Sequence, residues 1–265
     1  MHLQRSRLAI TLCCIAFLFV SCVHAANFND PDYRQAVEIA SMPLTENRLD
    51  PNLWALNPAF VDHALRFDDE GRVLMVTWTG GEYYDGKEGQ EYIIPDFVEV
   101  WLAPVPQLKT FFSSTGRSVS VRRLEQAYGL PPDSGYTKLV TMWVDPDDLV
   151  RPCPDPAVSD TICETNFPVG YYVEVSQDYQ EWFTQRRATI YDCDSGNCYP
   201  WTGLGYTYDW GADAVPNHIG LSEYIKPEGH AATVVIDAVK PTMQYFTVNT
   251  APFVTILLED DFSTQ

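Results

Sequence analysis

The spacing of apolar residues along the chain predicts several helices. Over residues 31–41, apolar side chains recur three and four positions apart behind a proline, which is typical of a short amphipathic helix. Similar spacing predicts helices over 104–112, 120–128 and 177–188, the last two behind the capping residues Ser120 and Ser176.

Runs of β-branched and aromatic residues predict the strands. The clearest run is Arg72–Thr79 (RVLMVTWT), and Phe97–Ala103, Lys138–Val144 and Ala232–Val239 resemble it. The first two runs are expected to pair as a hairpin with a long connection, since turn residues fill 83–92 between them. Shorter strands are predicted over 220–225, 245–248 and 254–258.

The order of these elements favours an α+β fold. Helices and strands do not alternate regularly, so a doubly wound parallel sheet is not expected. We predict a mainly antiparallel sheet with several packed helices and a disulfide-stapled irregular insertion over 151–168. Residues 26–265 are interpreted as one domain, and a subdivision near residue 150 is the alternative.

The N-terminal residues 1–25 have the pattern of a secretory signal peptide. A basic start precedes the apolar run Leu8–Val20, and small residues favour cleavage before Ala26. The run is shorter than the roughly 20 residues that a transmembrane helix needs. We therefore expect a secreted or periplasmic protein without a transmembrane segment. Cys22 follows a small residue, so a lipid anchor at Cys22 is the alternative.

The cysteines outside this leader are even in number, as disulfide-bonded exported proteins require. Cys153, Cys163, Cys193 and Cys198 allow three pairings, of which the local one, Cys153–Cys163 with Cys193–Cys198, is the simplest. A zinc site is the alternative, but these spacings fit the usual zinc patterns poorly. The segment 192–197 (DCDSGN) resembles the calcium-binding loop of an EF-hand. Counted from Asp192, however, Gly196 is the fifth residue, where the pattern places glycine sixth, and Gly203 is the twelfth, where the pattern needs a glutamate ligand. No metal site is predicted.

Composition and charge narrow the class of partner. The chain has 265 residues, of which 46% are hydrophobic and 13% aromatic, enough for a packed core. Its formal net charge is −19, and this becomes −21 without the two arginines of the leader. Such an excess of acidic residues argues against nucleic acid and against a polybasic membrane patch.

Motifs for common catalytic chemistry are missing from the sequence. It contains no His-Glu-x-x-His pair, no Gly-x-Ser-x-Gly elbow, no phosphate-binding loop and no dinucleotide fingerprint. No cofactor is predicted. His218, Ser222 and Glu223 lie close together in sequence, but proximity along the chain does not define a catalytic triad.

The densest aromatic stretch, residues 199–210, supplies the candidate binding residues Trp201, Tyr206, Tyr208 and Trp210. On an extended backbone the last three project to one side. An exposed row of this kind can stack on sugar rings or anchor a protein partner. The alternative is that these rings fill the core against the helix that carries Trp182.

Carboxylates beside this stretch are the candidate catalytic residues, namely Asp209, Asp213 and Glu223. Glycoside hydrolysis uses two facing carboxyl groups, which an acidic exported protein readily supplies. The sequence as a whole favours a non-catalytic binding or interaction protein whose ligand or macromolecular partner is unknown. The alternative is a hydrolase that acts on envelope or extracellular carbohydrate.

Overall fold

The computed structural model describes residues 26–115, 118–170, 174–211 and 218–247. The predicted leader with Cys22 lies outside these ranges, as do Asp213 and the strand predicted over 254–258. Within the described ranges, no helix combines the length and the apolar character needed to cross a membrane.

The described residues form five α-helices and eight β-strands. The helices are α1 (Pro31–Ser41), α2 (Val105–Thr115), α3 (Val121–Ala127), α4 (Gln177–Thr189) and α5 (Thr242–Tyr245). The strands are β1 (Val73–Thr79), β2 (Glu91–Ile94), β3 (Val100–Pro104), β4 (Lys138–Val144), β5 (Tyr206–Tyr208), β6 (Ile219–Ser222), β7 (Tyr224–Lys226) and β8 (Ala232–Pro241).

Six of the strands form one antiparallel sheet in the order β2-β8-β4-β1-β3-β7, and β5 and β6 form a separate antiparallel pair. The predicted α+β fold with a mainly antiparallel sheet is therefore confirmed. The central strands β1 and β4 pair along their whole lengths, with Val73 opposite Val144 and Thr79 opposite Lys138. The predicted pairing of β1 with β3 is also present.

Both faces of the sheet are buried, because alternate side chains of β1 enter different cores. Val73 and Met75 belong to one apolar cluster, whereas Leu74 and Val76 belong to another. The second cluster includes side chains of α2 and α3, which cover that face. Burial of each such large apolar side chain stabilises the fold by about 1.5–3 kcal/mol.

Side-chain caps fix where three helices begin. Asp30, Ser120 and Ser176 each accept a hydrogen bond from the backbone N–H three residues later, at 3.0, 3.1 and 3.3 Å. Each cap satisfies an N–H that the first turn of a helix leaves unpaired. The starts predicted behind Ser120 and Ser176 are thus confirmed.

Four details of the predicted secondary structure are wrong. Strand β2 begins at the end of the segment 83–92, which was expected to hold only turn residues, and it pairs with β8. The single strand predicted over 220–225 is instead two strands, β6 and β7, which belong to different sheets. The strand Phe97–Ala103 begins only at Val100, because Val98 closes a turn by donating to Pro95 O. The strand predicted over 245–248 is replaced at its start by helix α5.

One of the two predicted disulfides is present. Cys193 and Cys198 are bonded, with an S–S distance of 2.01 Å. Cys153 and Cys163 are instead buried free thiols, whose sulfur atoms donate to the carbonyl oxygens of Asp155 (2.9 Å) and Glu164 (3.3 Å). The side chains of Cys153 and Cys163 also hydrogen-bond to each other, so the predicted partners are neighbours without a bond between them, and their oxidation to a disulfide stays a prediction.

Arg151 ties the irregular segment 151–168 together by hydrogen bonds. Its side chain is fully buried and donates to Asp160 Oδ1 and to Ile162 O, both at 2.7 Å. Charge-assisted hydrogen bonds of this kind are stronger than neutral ones. A single guanidinium thus holds the loop that carries both free cysteines.

Candidate ligand-binding cavity

A cavity of about 440 Å³ lies between the main sheet and the chain segment 199–208. Its wall is formed by β1, β3 and β5, by the C-terminal ends of α3 and α4, and by residues between these elements. The wall is mostly apolar, and its aromatic members include Trp78, Trp101, Trp201 and Tyr208. This volume falls within the range of about 300–1,000 Å³ that is typical of small-molecule sites.

Two tyrosine hydroxyls in this wall are buried without a partner. Tyr128 OH and Tyr208 OH have no hydrogen bond to any described residue, whereas the Trp201 indole and the Glu223 carboxyl group interact with each other. An unsatisfied buried polar group costs about 1–3 kcal/mol. A ligand that supplied the missing partners would recover part of this cost.

Glu223 is one of the two carboxyl groups in the cavity wall. It lies between β6 and β7, where its backbone N–H donates to Gly205 O at 2.9 Å. Burial raises the pKa of Glu223 to about 8, while the charge of Arg186 and a hydrogen bond from the Trp201 indole act to lower this pKa and the charge of Glu99 to raise it. Glu223 therefore holds a proton at neutral pH, and its carboxylic acid can donate a hydrogen bond.

Glu99 is the second carboxyl group in the cavity wall, and it is already paired. Its Oε2 accepts from Arg186 Nη2 and its Oε1 from Trp101 Nε1, both at 2.7 Å. The Arg186 guanidinium also lies over two rings, 5.4 Å from the centroid of Trp101 and 5.0 Å from that of Trp182. The charges of Glu99 and Arg186 therefore compensate each other within the wall.

The predicted aromatic residues do not form an exposed row. Trp201, Tyr206, Tyr208 and Trp210 are at most 5% exposed. Only Trp201 packs against Trp182, with their ring centroids 6.1 Å apart.

Two of these aromatics line the cavity and two do not. Trp201 and Tyr208 belong to its wall. Tyr206 and Trp210 hold other parts of the fold, since the Tyr206 hydroxyl donates to Arg48 O (2.7 Å) and Trp210 Nε1 to Leu130 O (3.0 Å). A binding role thus remains a prediction for Trp201 and Tyr208, and the contacts of Tyr206 and Trp210 are structural.

Asp209 does not face Glu223 across the cavity as a second catalytic carboxylate. It is fully buried, and both of its oxygens accept from the Arg123 guanidinium, at 2.9 and 2.6 Å. Asp209 Oδ1 also accepts from Gly211 N at 3.1 Å. Its catalytic assignment is therefore corrected to a structural one, and Asp213 lies outside the described residues.

The other candidate clusters do not assemble either. Ser222 Oγ accepts from Trp54 N and from Gln107 Nε2, whereas His218 Nδ1 lies 2.7 Å from Asp209 O. In the calcium-like turn, Asp192 caps the backbone N–H of Asp194 at 3.1 Å. Among the described residues no group of three His, Cys, Asp or Glu side chains is arranged to hold a metal ion.

Stability is expected to depend on pH through Glu223. The pKa of Glu223 is about 8 in the folded protein against an ordinary value of 4.5, so between these values only the unfolded chain releases the proton. The free energy of unfolding should therefore fall as pH rises from about 5 to about 8, by at most about 1.4 kcal/mol per pH unit.

Urea denaturation across this pH range checks the expectation. Glu223→Gln should remove this part of the pH dependence, since the amide does not titrate. Glu228→Gln, at an exposed turn position nearby, should retain it. Equal pH dependence in the wild type and in Glu223→Gln would contradict the assignment of a proton to Glu223.

Comparison with protein-family models, with curated proteins and with solved structures finds no match for this chain. The cavity is therefore the basis for any functional argument.

Glu99 and Arg186 were not among the residues predicted to form a site. Their one sequence signal is the spacing of Glu99 and Trp101, two positions apart as on one face of a strand.

Proposed function

We propose that this is an exported protein that binds a small, largely apolar molecule in the cavity. The observation that carries the proposal is a cavity of about 440 Å³ whose wall is mostly apolar and holds a few polar side chains, among them Tyr208 and Glu223. Apolar sites with a few convergent polar groups are typical of small-molecule recognition. Export itself is proposed from the leader pattern of residues 1–25 and from the Cys193–Cys198 bond.

A small molecule suits the site better than a macromolecule does. The aromatic residues expected to dock a protein or a polysaccharide are buried rather than displayed as a row. The acidic surface, with a net charge of −19 for the whole chain, also opposes phosphate-rich partners. The ligand is therefore proposed to enter the fold rather than to lie along its surface.

Filling the cavity is expected to abolish binding. Ile190 lines the cavity at the C-terminal end of α4 and is partly buried, so Ile190→Trp adds bulk within the site. Equilibrium dialysis against naphthalene, indole and coumarin measures the effect. The wild type should enrich at least one compound, and Ile190→Trp should bind it at least about tenfold more weakly, equivalent to 1.4 kcal/mol.

Ile162→Trp is the matched control, because Ile162 is 55% exposed and does not line the cavity. It should bind as the wild type does. Circular dichroism and thermal melting establish that both variants fold. The proposal is wrong if the wild type enriches none of the compounds, or if Ile190→Trp enriches them equally.

A second candidate function is hydrolysis, and the pairing of two carboxyl groups in one wall favours it. Glu223 is protonated at neutral pH, as a general acid must be. Glu99 is the second carboxyl group that lines the same cavity. Chromogenic aryl glycosides test this function directly. Turnover that disappears in Glu223→Gln and in Glu99→Gln, with folding retained, would support it, and absence of turnover in the wild type would oppose it.

A further inference from the structure

We infer that the ligand is a short, extended peptide with apolar side chains, which inserts as a strand between β1 and β3. This inference rests on the proposed binding function and names the chemical class of the ligand. The cavity is then the place of an additional strand within the six-stranded sheet.

Strands β1 and β3 separate after a short stretch of pairing. Their ladder consists of Met75 with Pro104 and Val76 with Ala103, although β1 continues to Thr79. If the same register continued, three more pairs would form before β3 ends. These pairs would be Thr77 with Leu102, Trp78 with Trp101 and Thr79 with Val100. All six residues instead line the cavity, so the cavity occupies the gap between the two strands.

The cavity lies against the edges of these strands rather than against one row of side chains. Successive side chains of a strand point to opposite faces of the sheet. Residues 77–79 and 98–103 nevertheless line the cavity without interruption, so the cavity contacts the backbone of both strands. Strand β4 occupies the other edge of β1, and β7 occupies the other edge of β3.

An inserted peptide would complete the pairing of both strands. Beyond the Val76–Ala103 pair, no described strand pairs with the edges that face the gap. The backbone N–H and C=O groups on these edges need partners when they are buried. Extended peptides recognise sheet edges through such main-chain hydrogen bonds. A peptide between β1 and β3 would satisfy two edges at once.

The length of the gap limits the part of the peptide that pairs to about three residues, one for each pair that is not formed. Three residues of a strand extend for about 10 Å. A peptide of this size enters the fold, as the proposed function requires of its ligand.

Both faces of the gap are apolar, and this determines the side chains of the peptide. On one face of the sheet, Val100 and Leu102 share an apolar cluster with Tyr84, and all three line the cavity. Trp78 and Trp101 alternate to the other face and line the cavity as well. An inserted strand would therefore be covered on both faces, and strands of this kind are apolar at nearly every position.

The cavity wall offers no partner to a charged side chain of the peptide. Its described acidic and basic residues are Glu99, Arg186 and Glu223. Glu99 and Arg186 pair with each other at 2.7 Å, and Glu223 accepts a hydrogen bond from the Trp201 indole. A charge on the ligand would be buried without a counterion, which is costly. The peptide is therefore neutral as well as apolar.

N-methylation of a short peptide tests whether both of its edges are used. The probe is acetyl-Val-Ile-Val-amide, and three analogues each carry one N-methyl group, at the first, second or third residue. Successive N–H groups of a strand point to opposite sides, so a peptide between two strands uses all of them. Isothermal titration should show that the probe binds and that each analogue binds at least about tenfold more weakly.

Two protein variants and hydrogen exchange locate the peptide in the gap. Ile190→Trp, which fills the cavity, should bind the probe at least about tenfold more weakly, and Ile162→Trp should bind it as the wild type does. Amide exchange should slow within residues 77–79 and 100–102 when the probe binds. It should not change in β2, which is an edge strand of the same sheet and lies away from the cavity.

The outcomes separate this inference from the proposed function. Equal affinity for the probe and its three analogues would show that the peptide backbone is not recognised, and would overturn the inference. A loss confined to alternate N-methyl groups, or slower exchange in β2 alone, would place the peptide on a single edge and would also overturn it. If a compound enriched in dialysis binds and the probe does not, the inference is wrong and the proposed function stands. If neither binds, both are wrong.

Discussion

Replacing Asp209 with asparagine is expected to lower the free energy of unfolding by about 3–5 kcal/mol. Both oxygens of Asp209 accept from the Arg123 guanidinium, and both residues are buried. The substitution leaves the arginine charge in the interior without its counterion. Removing one partner of a buried pair is costly for this reason, even where the intact pair adds little net stability.

Chemical denaturation in urea measures this loss, and an exposed ion pair provides the control. Asp194 lies 3.1 Å from Arg34 with its side chain 93% exposed. Asp194→Asn should change stability by less than about 1 kcal/mol, because exposed pairs are weak. A change as small as this in Asp209→Asn would show that the Arg123–Asp209 pair does not support the fold.

Replacing Gly220 with alanine is expected to destabilise the protein by about 3 kcal/mol. A Cβ atom at Gly220 would lie 2.6 Å from Thr207 O and 2.7 Å from Ala127 O. Both contacts are to backbone atoms, so the strands β5 and β6 or the end of α3 must move. Thr207 lines the cavity and Glu223 follows β6, so ligand binding should weaken as well.

Gly170→Ala is the matched control, because an added Cβ there meets no atom within 4 Å. It should change neither the midpoint of urea unfolding nor the affinity for the compound that the wild type enriches in dialysis. A Gly220→Ala variant as stable as Gly170→Ala would mean that β5 and β6 do not approach α3 as closely as described.

Local sequence patterns were enough to predict the elements that carry strong signals. Helix α1 and strand β4 lie where they were predicted, since regular apolar spacing and dense β-branched residues leave few alternatives. Strand β2 was missed because it is four residues long, and its pairing with β8 is a tertiary contact. The proximity of Cys153 and Cys163 follows from their spacing, but the number and spacing of cysteines do not show whether the two sulfur atoms are bonded.

The candidate site was only partly predictable, since distant segments form it. Glu223, Trp201 and Tyr208 were candidates from sequence, and all three line the cavity. Asp209 was a reasonable candidate carboxylate by its position, but its partner Arg123 is 86 residues away in sequence. The pairing of Glu99 with Arg186 spans 87 residues and has no local signature.

The indole N–H resonances of the protein test the central claim, that the cavity binds a small molecule, most directly. Trp101 and Trp201 line the cavity, whereas Trp54 does not. Nitrogen–proton correlation spectra, assigned with Trp101→Phe, Trp201→Phe and Trp54→Phe, can follow these signals during titration with whichever of naphthalene, indole and coumarin the protein enriches most. We expect the Trp101 and Trp201 signals to shift with one shared dissociation constant and the Trp54 signal to stay in place. Unchanged Trp101 and Trp201 signals at a saturating concentration would contradict the account.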